Sequence, residues 1–113
     1  MPSGEHLRAA KAALEELGYS VEEGARVKGL SGFEHRFDLL ARRGARVICV
    51  SIRGADPAEV LAELAKGLDV EHEDVATAEG DPPREPEPAK GRVKVVAFRS
   101  SEELAEELKR IAA

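Results

Sequence analysis

Tryptophan, asparagine and glutamine are absent from this chain of 113 residues, and Thr77 and Cys49 are the sole members of their types. A single cysteine excludes a disulfide framework within the chain and a cysteine-based zinc site. No run approaches the ~20 consecutive apolar residues that a membrane-spanning helix needs. The opening Met1-Pro2-Ser3-Gly4-Glu5-His6 lacks the charged and apolar regions of a signal peptide, so a cytoplasmic location is expected. Missing amides beside a charged fraction of 35% match the composition of thermophile proteins, with GC-driven codon bias as the alternative cause.

What is present bounds the architecture. The length suits one domain, able to bury about 65% of the surface its unfolded chain exposes, so residues 1–113 are expected to form a single unit. The net charge of −5 hides an asymmetry. Residues 1–53 carry nine Lys or Arg against seven acids, whereas 54–113 carry eight against fifteen. The excess of positive charge is concentrated in 24–53, with seven basic side chains and two acidic ones. A phosphate-facing surface would lie there, while the overall acidity argues against tight non-specific binding to nucleic acid.

Hydrophobic spacing divides the chain further. Ser3 can cap a first helix with Leu7, Ala10, Leu14 and Leu17 on one side and Gly18 ending it. Tyr19 and Val21 read as a short strand, broken at Glu23-Gly24 and resumed over Arg26–Leu30 before a Ser31-Gly32 turn. Strict alternation follows, placing Phe33, His35, Phe37, Leu39 and Ala41 on one face and Glu34, Arg36, Asp38 and Leu40 on the other. A hairpin turn at Arg42-Arg43-Gly44 leads into Arg46–Arg53, which is β-branched and suits a central strand covered on both faces. Asp56-Pro57-Ala58-Glu59 starts a second helix, whose expected buried stripe is Val60, Leu61, Leu64 and Leu68. Residues 69–79 are acidic and show no decisive period. The segment 80–91 holds four of the six prolines and is expected to be a mobile loop. A strand over Arg92–Arg99 and a helix capped by Ser100-Ser101-Glu102-Glu103, with Leu104, Leu108 and Ile111 inward, complete the order. The expected fold is α/β (α+β), an αβββαβα core with a mixed sheet flanked by helices.

That order carries three quoted stretches: Leu14-x-x-Leu17-Gly18-Tyr19-x-Val21, Gly29-x-Ser31-Gly32-x-x-His35-x-Phe37-Asp38-Leu39-Leu40-Ala41, and Val47-Ile48-Cys49-Val50-Ser51-Ile52-Arg53. Together they resemble the PD-(D/E)XK nuclease superfamily, most closely its archaeal resolvase-like and Mrr-like restriction-enzyme branch, over residues 3–68. The resemblance implies a restriction endonuclease-like core. It also implies an Mg²⁺ site built from an acid on the second strand, an acid-x-Lys on the third and an acid on the first helix. Asp38 matches the first position and Glu5 the helix acid. Ser51 stands in place of the second acid and Arg53 in place of the lysine.

This departure changes the chemistry. Mg²⁺ is usually held by one or two carboxylates, but Ser51 adds no negative charge, and a guanidinium is a poor proton acceptor. Asp38 is therefore either a remnant metal ligand or a structural partner of Arg53 or Arg36, and Arg53 meets either phosphate or Asp38. Backbone amides at Ser31-Gly32, and the cations Lys28, Arg42, Arg43 and Arg46, are the candidate phosphate contacts. His35 reads as a packed core histidine and Cys49 as a small core residue. Glu63 and Lys66, three apart on the second helix, are either an exposed ion pair or replacements for the lost catalytic pair. The expected function is a degenerate nuclease-like domain that binds DNA or RNA weakly, or an interaction module, without cleavage. The alternatives are an active Mg²⁺-dependent endonuclease with migrated residues and a structural subunit joined to a protein partner or a second copy. No cofactor is expected, with Mg²⁺ entering only if cleavage persists.

Overall fold

A computed structural model describes residues 4–54, 56–80 and 93–113. Its elements run α1 (Gly4–Glu16), β1 (Ser20–Lys28), β2 (Glu34–Arg43), β3 (Arg46–Arg53), α2 (Pro57–Asp69), β4 (Glu73–Glu79), β5 (Val93–Phe98) and α3 (Ser101–Ala112). The five strands form one sheet in the order β1-β2-β3-β4-β5. β1, β2 and β3 are antiparallel neighbours, whereas β3-β4 and β4-β5 are parallel. The mixed sheet flanked by helices thus matches the expected class.

Local chemistry accounts for the helix starts. The Asp56 carboxylate accepts from Ala58 N at 3.0 Å, with Pro57 opening the first turn of α2. The Ser100 hydroxyl accepts from Glu103 N at 3.1 Å, and Glu103 accepts in return from Arg99 N. Two apolar layers sandwich the sheet. On one side α1 and α3 cover Leu39, Ala41, Ile48, Val50, Ile52, Val75 and Phe98 with Ala10, Leu14, Leu104 and Leu108. A smaller cluster, Ala25, Phe37, Leu40, Cys49 and Val70, includes the residue that follows α2.

Four expectations need correction. β4 was not expected: its alanines and acids carry little strand propensity, yet as an interior parallel strand it is buried from Asp74 to Ala78. β1 runs unbroken through Glu23-Gly24, because Gly24 adopts φ +63° within the strand. The alternation of β2 is also interrupted. Phe37 packs with Leu40, while Leu39 and Ala41 pack on the opposite layer, and the break falls at Asp38, opposite Gly24 in register. Finally, the inward face of α2 is not its leucine stripe: Leu61 and Leu68 are exposed, and Glu63 and Gly67 are buried. The proline-rich loop expected at 80–91 lies, apart from Gly80, outside the described residues. Among the described residues, no helix is long and apolar enough to cross a membrane.

Candidate functional site

Pairing between β2 and β3 reaches Leu39↔Val50 and stops. At that point the Asp38 side chain replaces the strand: its Oδ2 accepts from Ile52 N at 2.7 Å. Arg53, at the end of β3, donates from Nη1 to the same Oδ2 at 3.1 Å and from Nε to Glu63 Oε2 at 3.0 Å. Glu63 Oε1 lies 2.9 Å from Lys66 Nζ, an ionic contact without hydrogen-bond geometry. Lys66 Nζ in turn donates to Arg36 O at 2.6 Å and sits 4.5 Å over the Phe37 ring. The result is a row of alternating charge, Asp38, Arg53, Glu63 and Lys66, along the seam between α2 and the sheet.

The row is largely withdrawn from water, with side-chain exposures of 11% for Asp38, 29% for Arg53 and 7% for Glu63. Charges so placed are tolerable only when paired and hydrogen-bonded. Ser51, beside this pair on β3, is fully buried, and its hydroxyl has no partner among the described residues. Its carbonyl accepts from Thr77 Oγ1 at 2.9 Å. Asp74 is fully buried, with neither carboxylate oxygen bonded among the described residues. A Cβ on Gly67 would strike that carboxylate, so glycine lets α2 pass close above it. Burial, and secondarily the charge of Glu63, push the Asp74 carboxyl up to about 7. Burial and the neighbouring Asp74 push the Cys49 thiol up to about 12, which removes its reactivity.

These residues do not fit a metal ion as they stand. The Arg53 guanidinium already binds the oxygens that Asp38 and Glu63 would offer, and it brings positive charge to the place a cation would take. Glu5 is exposed in the first turn of α1. Among the described residues no three of His, Cys, Asp and Glu converge on a common point suited to an ion.

The basic candidates separate into two groups. Arg46 forks onto Glu73 at 2.7 and 3.0 Å and donates to the carbonyls of Ile111, Ala112 and Ala113, clasping the end of α3. This contact raises the Arg46 pKa and holds the Glu73 carboxyl below its usual range. Arg43 donates to Leu17 O at 2.8 Å and stacks 4.5 Å over Tyr19. The amide and hydroxyl of Ser31 both bond Asp69, at 2.9 and 2.7 Å, and His35 Nε2 meets the same carboxylate at 2.7 Å. These bonds, His35 first, hold the Asp69 carboxyl below its usual range, and the donors of the 29–33 turn are directed at α2. Lys28 and Arg42 remain exposed, with no bonded partner among the described residues.

The sequence pattern thus brings Asp38 and Arg53 together and ties Ser31 and Arg46 into the fold. It missed the burial of Glu63 and Asp74, and the bonds of Asp69 to Ser31 and His35. For Glu63 the signal was its spacing from Lys66. For Asp74 none stands out from the surrounding acids.

No family model and no curated protein matches this sequence. Among solved structures, the chain is similar to the crystal structure of a protein of unknown function, AF1548. The two share 17% identity at a TM-score of 0.62, over 96% of this chain and 67% of that one. It is also similar to a chain in the half-complex from a tetradecameric assembly of Thermococcus gammatolerans McrB AAA+ hexamers with bound McrC. There the identity is 11% and the TM-score 0.56, over 92% of this chain but 31% of that one. At these identities the likeness shows a shared fold alone.

Proposed function

We propose that this chain is a nuclease-like domain that has lost cleavage and serves as a binding module, holding nucleic acid weakly. What supports this reading is one observation: Arg53, in the position of the family's lysine, bonds both Asp38 and Glu63. A guanidinium so placed neutralises the carboxylates and accepts no proton near neutral pH. The site therefore lacks both the ion-holding charge and the base that phosphodiester hydrolysis needs.

A second reading has its own observation. Glu63 and Lys66 lie 2.9 Å apart and reach Asp38 through Arg53, so an acid and a lysine stand near the expected place on α2 instead of β3. Incubating the protein with supercoiled, linear and branched DNA in Mg²⁺ or Mn²⁺ separates the two. No nicking is the expected result. Metal-dependent nicking that vanishes in Asp38→Ala would establish the migrated-residue endonuclease in its place.

A further inference from the structure

The opposite layer of the sheet carries a second constellation. His6, in the first turns of α1, places Nδ1 2.7 Å from the Ser101 hydroxyl and Nε2 3.3 Å from Glu79 Oε2. Glu79 ends β4, Ser101 opens α3, and the Phe98 ring at the end of β5 meets the imidazole edge to face at 4.9 Å. All three therefore sit where the parallel strands β4 and β5 reach their carboxyl ends, the usual crevice of an open α/β sheet. The Glu79 contact is ionic, without hydrogen-bond geometry, and its negative charge beside Nε2 favours the His6 tautomer protonated there, which leaves Nδ1 free to take a proton from Ser101.

Two further features adjoin the hydroxyl. Ser101 and Glu102 are the first two residues of a 12-residue helix, where backbone N–H groups have no intrahelical acceptor and the helix dipole favours negative charge. The N-cap is Ser100, so the Ser101 hydroxyl is not spent on capping. A groove of about 230 Å³ runs between α1 and α3 from Ser101, lined by Ala9, Ala12, Ala13 and Ala105. The ion pair of Glu16 with Lys109, at 2.7 Å, lies at its far end.

We propose that Ser101 is a nucleophile, with His6 its general base and Glu79 a positioning residue, that attacks carboxylic esters of short acyl chains seated in the α1–α3 groove. Ser101 Oγ bonds to the ester carbonyl carbon while its proton passes to His6 Nδ1. The carbonyl oxygen, now an anion, faces the amides of Ser101 and Glu102. Collapse breaks the bond to the alcohol, which leaves with the proton from His6, and water then releases the acid by the same two steps, restoring the hydroxyl. The groove is apolar and small, which limits the acyl part to a few carbons.

The test uses the intact chain with an alkyl fluorophosphonate, followed by intact mass and peptide mapping, and with p-nitrophenyl butyrate. One adduct on Ser101 and steady ester hydrolysis are expected. Ser101→Ala should remove both while keeping its circular dichroism, since Ser100 retains the cap. His6→Gln should slow labelling about 100-fold, the scale of a lost general base. Glu79→Ala should lower kcat several-fold and leave KM unchanged, which a merely structural tie would not do. A wild-type protein that takes no adduct, or labelling and hydrolysis that persist in Ser101→Ala, would overturn the proposal and leave the three residues as a tie between α1 and α3. Either outcome is independent of whether Asp38 supports DNA cleavage.

Discussion

Removing the Arg53 guanidinium would leave Asp38 and Glu63 facing one another with no cation between them. Arg53→Ala is therefore expected to lower stability by about 3 kcal/mol, the cost of stranding a buried charge, read as a shift in the urea midpoint. Arg53→Lys should cost less, since it keeps the charge but loses the fork that reaches both acids. Asp74 behaves oppositely, because among the described residues no donor bonds its buried carboxylate and the Lys66 charge is outweighed by burial. Its ordinary value is 3.8 and its folded value about 7. Between those limits the unfolded chain is ionised while the folded chain keeps its proton, so stability falls as pH rises from about 4 to about 7 and levels off above. The full span corresponds to about 4 kcal/mol. Asp74→Asn should remove most of this slope and be more stable than the parent at pH 8 but not at pH 4. Parallel slopes for the two proteins in urea titrations would show that the Asp74 carboxyl does not hold its proton.

At the scale of elements, α2 shows what apolar spacing reads well and what it misses. The central strand Arg46–Arg53 and the last helix emerged from the sequence because burial there falls on β-branched residues and leucines. In α2 the inward face is set by partners: Glu63 turns toward Arg53, Lys66 toward Phe37 and Arg36, and Gly67 toward Asp74. Those partners lie on other strands, so no window along the helix could reveal them, and Leu61 and Leu68 were assigned inward on apolarity alone. β4 escaped for a related reason, since Asp74, Ala76 and Ala78 are buried by their neighbours in the sheet and not by their own preference. The joining of Asp38 to Arg53 was legible, because the period of strands places both near the same sheet end. The bond from Asp38 to Ile52 N was not, since it depends on where pairing stops. Gly67→Ala should destabilise the fold by about 1 to 3 kcal/mol through overpacking against Asp74 and Val93. Most of that loss should disappear in the background of Asp74→Ala, and a double-mutant cycle without coupling would disprove the contact.

For the molecule as a whole, the ion pairs redistribute the basic surface that the sequence concentrates in 24–53. With Arg46 bound to Glu73 and Arg53 to Asp38 and Glu63, Lys28 and Arg42 are the cations from which phosphate contact is expected. DNA affinity should be micromolar or weaker, fall with salt by a slope of about two phosphate contacts, and drop in Lys28→Ala/Arg42→Ala. Arg46→Ala should instead unfold the protein at lower urea with little effect on the salt slope. Anisotropy that is unchanged in the double variant would move the binding reading toward a protein partner. The pairing of α1 with α3 has a different consequence, in time instead of energy. The two helices lie side by side in the same direction, with contacts 95 residues apart in sequence between His6 and Ser101. On a ribosome adding about 5–20 residues per second, the side of the first helix that faces α3 would wait roughly 5–20 s for its cover to be made. Through that interval Ala9, Ala12 and Ala13 lack the helix they face and are open to capture by a chaperone.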